Sequence, residues 1–214
     1  MTMTTLEPAY PKPTSRNRTP KRILDLAICL VALPALIPIF ALLSATVALT
    51  SKGPVFFVQT RVGRGGETFE MFKFRSMYVD AEARRAEVAA QSDRDGLCLK
   101  VKNDPRITPV GRFLRRWSLD ELPQILNVLT GDMSLVGPRP ALVCEVAQYP
   151  DHAHGRHNVL PGLTGLWQVS GRADIGFDEM IALDLEYVRR VSVGTDAMIL
   201  MRTVRAVVSG RGAY

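Results

Sequence analysis

The chain has 214 residues, enough for one domain with a sizeable core, and its 47% hydrophobic content excludes a disordered polymer. A formal charge of +6 suits a nucleic acid, an anionic membrane surface or a phosphate-rich substrate. Cys29, Cys98 and Cys144 stand far apart with no C-x-x-C pair, which argues against a disulfide scaffold or zinc ribbon and fits a reducing cytosolic setting.

Residues 1–20 are rich in Thr, Pro and basic side chains, lack apolar periodicity and read as a disordered leader. They do not read as a signal peptide, because no small-residue cleavage site follows the apolar run behind them. From Leu26 to Leu49 the chain is almost wholly apolar, long enough for the ~20 residues that a bilayer core requires. Pro34 and Pro38 lie mid-run, one helical turn apart, and each removes a backbone hydrogen bond, so a kink is expected. Lys12, Arg16, Arg18, Lys21 and Arg22 precede the run, and Lys52, Arg61 and Arg64 follow it. Positive charge on both flanks assigns both ends to the cytoplasmic side, which favours a re-entrant helix over residues 21–50 that enters the membrane, breaks and returns. An ordinary kinked single span is the alternative.

Pro54 to Arg75 predicts a β-hairpin, with strands Val55–Gln59 and Thr68–Phe74 and the turn at Gly63 to Gly66. Lys73 and Arg75 alternate with Phe72 and Phe74, so one face presents cations; a solvated edge strand is the competing reading. The Gly-rich loop lacks the Lys-Ser or Lys-Thr of a P-loop. Ala81–Gln91 predicts a short polar helix and Ser92–Asp104 a charged loop. Thr108 followed by Pro109 is a helix start, leading into Val110–Trp117. Arg112 and Arg115 share a face of that helix and Arg116 lies four beyond Arg112, so the like charges call for an anion between them, or for lipid headgroups.

Arg115 to Pro140, RRWSLDELPQILNVLTGDMSLVGPRP, concentrates the chemistry. Ser118 and Glu121 match a capping box, predicting a helix from about Leu119, although Pro123 fits only a first turn and makes Asp120 an alternative cap. Leu119, Leu122, Ile125, Leu126 and Leu129 form an apolar stripe, while Asp120, Gln124 and Asn127 recur on another side. Acidic residues at a helix start are common because the macrodipole favours them. Here, however, Arg112, Arg115, Arg116 and Arg139 crowd the same region, with Gly131 and Gly137 where backbone can approach a ligand, so anionic oxygens are the expected ligand.

His152, His154 and His157 have no acidic or thiol partner at metal-ligand spacing. Pro161–Arg172 is turn-rich, with Trp167, Gln168 and Arg172 able to contact a base or ribose; a packed tryptophan without ligand is the plain alternative. Asp178–Arg190 predicts a helix with Asp184 structural, and Thr195–Val208 an amphipathic helix suited to a membrane interface or to core packing.

SLDELPQ, GDMSLVGPRP, the upstream KFRSM and the downstream PGLTGLWQVSGR resemble, in order, the bacterial sugar transferases, the small monotopic phosphoglycosyl transferases, over Lys21 to the C-terminus. That resemblance implies transfer of a hexose 1-phosphate from a UDP-sugar to undecaprenyl phosphate with release of UMP, the first membrane step of exopolysaccharide, O-antigen or capsule assembly. It implies Mg²⁺ held by Asp120 and Glu121, with Asp120 the nucleophile and Glu121 assisting either acceptor attack or the metal. Lys73, Arg75, Arg112, Arg115, Arg139, Gln168 and Arg172 become the candidate phosphate- or nucleotide-binding residues. Pro38 takes the place of the membrane helix break, although the serine often found before it is Ile37 here.

The expected architecture is mixed α/β, mainly α: a monotopic membrane protein with a re-entrant N-terminal helix, a small β-hairpin and a helical catalytic core over 51–214 with interfacial helices. Its place would be the cytoplasmic face of the bacterial inner membrane, against inner-leaflet lipid, with self-association into a homo-oligomer left open. The rival is a basic membrane-anchored binding or scaffold protein; no helix-turn-helix, zinc finger or aromatic RNA-binding motif supports nucleic acid as its ligand.

Overall fold

The structure, a computed structural model, describes residues 18–84, 88, 101, 104–171 and 175–209. Most of the expected leader, most of the segment predicted as the Ala81–Gln91 helix and Ser92–Asp104 loop, and Arg172 lie outside them. The long helix α1, Arg18–Thr50, precedes a hairpin of β1, Phe56–Val62, and β2, Thr68–Phe74. Then come α2, Pro109–Arg116, a 3-10 turn at Leu119–Glu121 and α3, Gln124–Thr130. Strands β3, Ser134–Val136, and β4, Ala141–Leu142, flank the Gly-Pro-Arg-Pro turn, followed by the short α4, Val143–Val146, and a 3-10 segment Asp151–Asn158. Strand β5, Gly162–Thr164, and helices α5, Leu166–Ser170, α6, Phe177–Arg189, and α7, Val193–Ser209, complete the described fold.

The hairpin forms as the sequence predicts, with β1 running further, to Val62, and pairing with β2 from Phe56↔Phe74 to Val62↔Thr68. Strand β4 joins its other edge, giving the order β2-β1-β4, while β3 and β5 pair in parallel as a separate two-stranded sheet. The start of α2 is also as expected: the Thr108 hydroxyl accepts from the Gly111 amide at 2.9 Å. Helices α6 and α7 coincide with the two C-terminal predictions to within two residues.

The capping box does not form. Ser118 adopts φ 54, the one left-handed non-glycine residue among those described, and its side chain caps nothing. Pro123 has no N–H to give an interior turn, so the expected single helix divides into the 3-10 turn and α3, which starts after the proline. The polar stripe is buried rather than solvated: Gln124 and Asn127 are 2% and 0% exposed, whereas Leu126 of the apolar stripe is 42% exposed. Asn127 explains this inversion. Its carboxamide donates to the Glu70 carbonyl at 2.6 Å and accepts from the Phe72 amide at 3.1 Å, tying α3 to β2 beside Lys73.

Helix α1 is a single helix across the site of the expected break. It runs unbroken through Pro34 and Pro38, and both are exposed. Lys21, Asp25, Cys29, Leu43 and Val47 are buried and Leu36 and Phe40 half-buried at three- and four-residue spacing, so one stripe packs along the body while the prolines fall opposite it. A proline opens the helix on its own side, so two of them on the outer face favour a bend toward the body. The outer face is apolar and exposed, with Val31 at 83%, Ile37 at 65% and Leu42 at 67%. By length and composition α1 is able to cross a membrane.

Candidate active site

The 3-10 turn after Ser118 presents Asp120 to a cavity of about 880 Å³, walled also by the hairpin, the Gly-Pro-Arg-Pro turn and α5. The left-handed Ser118 makes this possible, reversing the chain between α2 and α3; such strain is characteristic of functional sites. Asp120 is only 6% exposed, and among the described residues its carboxylate makes no hydrogen bond or ion pair. Burial holds its pKa above the usual carboxylate range, with Lys73 pulling it down and Glu121 pushing it up.

Glu121 has the opposite surroundings. One carboxylate oxygen accepts from Lys73 Nζ at 2.8 Å and from Arg139 Nη1 at 3.0 Å. Although burial opposes ionisation, these two cations hold the group far below its ordinary range. Arg115 stands at the cavity with its Nε donating to Ser76 Oγ at 2.9 Å. Asp104 and Arg106 form a buried pair at 2.7 Å on the same wall.

Lys73, Arg75, Arg115, Asp120, Glu121, Arg139 and Gln168 therefore come together around one cavity. Within that set Arg75 turns away: its Nη2 donates to the Ser51 carbonyl and hydroxyl, both at 2.8 Å, binding the end of α1. Arg112 does not join the cavity wall. It is exposed on α2, because Gly111 and Leu114 supply the inward face and a Cβ at Gly111 would collide with the Ser76 backbone. Exposed Arg112, Phe113, Arg116 and Trp117 instead make a basic and aromatic outer surface.

Among the described residues no group of three metal-ligating side chains forms, the histidines included. His157 is half-buried beside Arg156, and its desolvation, with the neighbouring cation, pushes its pKa down to about 3. Sequence reasoning missed Gln59, Arg61, Ser76, Arg106 and Arg156 on the cavity wall. The period-2 spacing of Gln59 and Arg61 with Phe57 was the available signal for the first two.

The sequence profile of the bacterial sugar transferases matches residues 16–210. The chain belongs to the bacterial sugar transferase family. This family member is 43% identical over 194 residues to the galactosyl transferase CpsE of Streptococcus agalactiae, covering 90% of this chain and 43% of that protein. It is 40% identical to the exopolysaccharide production protein ExoY of Sinorhizobium fredii, covering 91% of this chain and 88% of ExoY. A third relative is the undecaprenyl-phosphate galactose phosphotransferase of Salmonella typhimurium, 41% identical over 92% of this chain and 42% of its own length. The chain thus spans less than half of two of these relatives and most of ExoY.

Proposed function

We propose that this chain transfers a hexose 1-phosphate from a UDP-sugar to undecaprenyl phosphate at the cytoplasmic face of the inner membrane, releasing UMP and beginning a cell-surface polysaccharide. The observation that carries this reading is the contrast between neighbouring acids: Asp120 is buried and, among the described residues, unpaired, while Glu121 is committed to two cations. An unpaired carboxylate keeps its lone pairs for a phosphorus atom, and its raised pKa is that of a poorly solvated, more basic oxygen. In this reading Glu121, through its pairs with Lys73 and Arg139, aims those two cations at the substrate phosphates and keeps its second oxygen for a metal.

The steps balance as two displacements at one phosphorus. An Asp120 oxygen bonds to the β-phosphorus of the nucleotide sugar while the bond from that phosphorus to the bridging oxygen breaks, and UMP leaves with that oxygen and its electron pair. An oxygen of the acceptor phosphate then attacks the same phosphorus, expelling the Asp120 carboxylate and giving a polyprenyl diphosphosugar. Lys73, Arg115 and Arg139 offset the mutual repulsion of carboxylate and phosphates, the guanidinium groups by paired N–H contacts. Undecaprenyl phosphate stays in the bilayer and UDP-sugars in the cytosol, so a cavity in a body that docks a long apolar helix suits both.

The unpartnered Asp120 carboxylate, with the second Glu121 oxygen, fits a divalent cation of the kind held by one or two carboxylates and substrate phosphates. When bound, Mg²⁺ supplies charge neutralisation on the phosphate oxygens. Incubating detergent-solubilised protein with a UDP-sugar but no lipid, then measuring its intact mass, is expected to show a phosphohexose adduct that Asp120→Asn lacks. Asp120→Asn is expected to lose at least about a thousandfold in UMP release, and product formation by this variant at the wild-type rate would remove the assignment.

A further inference from the structure

Arg139 reaches Glu121 from a segment that cannot hold itself. Pro138 and Pro140 have no N–H, so the turn between β3 and β4 forms no ladder of its own and its carbonyl oxygens need outside donors. Three successive carbonyls receive them. The Gly162 amide donates to the Pro138 carbonyl at 2.9 Å. Arg156 Nη2 donates to the Arg139 carbonyl at 2.9 Å, and Arg61 Nη1 to the Pro140 carbonyl at 3.1 Å.

Each arginine is itself fixed. Arg156, 2% exposed, pairs with Asp184 at 2.6 Å and donates to the Tyr149 hydroxyl at 2.7 Å. Arg61 donates through Nε and Nη2 to Gln59 Oε1, at 3.1 and 2.6 Å. On the inner side the turn packs on backbone, since a Cβ at Gly137 would collide with the Leu160 carbonyl.

Resting on the function proposed above, we infer that Arg61 and Arg156 are positioning residues that grip the backbone on either side of Arg139 and so set its guanidinium against Glu121 and the substrate phosphates. Both act through the turn rather than on the transferred group. Arg139 is the more exposed member of the cation pair, with its side chain 36% exposed against 14% for Lys73, and therefore the one whose aim depends more on its backbone.

A double-mutant cycle separates this role from a general structural one. Arg61→Met is expected to lower kcat/KM for UMP release about tenfold in an otherwise wild-type chain, yet less than twofold when added to Arg139→Ala. Arg156→Lys, which keeps a donor and the Asp184 partner, is expected to fall between wild type and Arg61→Met and to show the same lack of additivity. Full additivity of either substitution with Arg139→Ala, or an unchanged rate in Arg61→Met, would overturn the positioning role. A wild-type chain that releases no UMP from any UDP-sugar overturns the proposed function instead, so the two failures are distinct.

Discussion

Asp120 and Glu121 share a peptide bond and a buried setting, but only Glu121 holds cations in direct contact. Because burial raises the Asp120 pKa above 3.8, the folded state binds its proton more tightly than the unfolded chain. Stability therefore falls as pH rises from 3.8 through the raised value, and the penalty persists at neutral pH. Asp120→Asn carries no such charge, so its melting temperature is expected to exceed that of wild type near neutrality, with the difference closing in acid. A lower melting temperature at neutral pH would contradict the buried, unpaired carboxylate. Glu121→Gln removes a neighbouring negative charge and releases Lys73 and Arg139 toward Asp120, and both changes lower the Asp120 pKa. The acid limb of the pH profile for UMP release is accordingly expected to move to lower pH in whatever activity this variant keeps; an upward move would show that Glu121 does not set the field at Asp120.

At the scale of elements, the attachment of α1 is unusually polar. Lys21 Nζ donates to Asp196 at 2.6 Å and to the Val136 carbonyl at 2.8 Å, while the single Tyr187 hydroxyl proton is within reach of both Asp196, at 2.8 Å, and the same carbonyl, at 3.0 Å. Asp25 accepts from the Ser134 hydroxyl at 2.7 Å and from the Leu135 amide at 3.2 Å. Arg22 caps the C-terminal carbonyls of α3 at Val128 and Leu129. Lys21→Met strands a buried aspartate, and the expected cost is roughly 3–5 kcal/mol in denaturant unfolding. Adding Asp196→Leu is expected to recover part of that loss, because an apolar pair of similar volume replaces the ions; a double variant less stable than Lys21→Met would refute this account. Apolar length alone suggested a membrane segment, and charge on both flanks suggested a return. Neither signal shows a partner far along the chain, and so Lys21 read as a flank charge when it is the first buried residue of an inward stripe. Ser118 misled for a similar reason. Its spacing from Glu121 fits a cap, but Lys73 and Arg139 claim the Glu121 carboxylate from other elements, and the local motif loses to them.

Over the whole molecule, the described residues form three apolar clusters. One centres on Val128, Met133 and Tyr187, another on Ala153 and Ile181, and the third joins Leu43 and Val47 of α1 to Phe74 and Leu114. Asp120, Glu121, Lys73, Arg115 and Arg139, the candidates named through the resemblance drawn from short blocks of sequence, line one cavity. That resemblance did not reach Arg61 and Arg156, which lie outside the blocks it rests on and reveal their roles only through backbone carbonyls. The outer face of α1 is apolar, and α7 exposes Met201, Val204 and Val208, each at least 66%, beside Arg202 and Arg205. A tryptophan at Leu42 is therefore expected to be quenched by brominated acyl chains in vesicles, beyond the quenching of the native Trp117 and Trp167; equal quenching with and without that substitution would place the outer face of α1 in water.

The charged inner stripe of α1 also decides what a chimera would do. A foreign greasy helix would tether the chain to a bilayer yet leave Ser134, Val136 and Asp196 short of the partners that Lys21 and Asp25 supply. Anchoring and completion of the fold are thus one event, and the strand leading into Arg139 assumes its working shape only when its own native anchor is docked beside it.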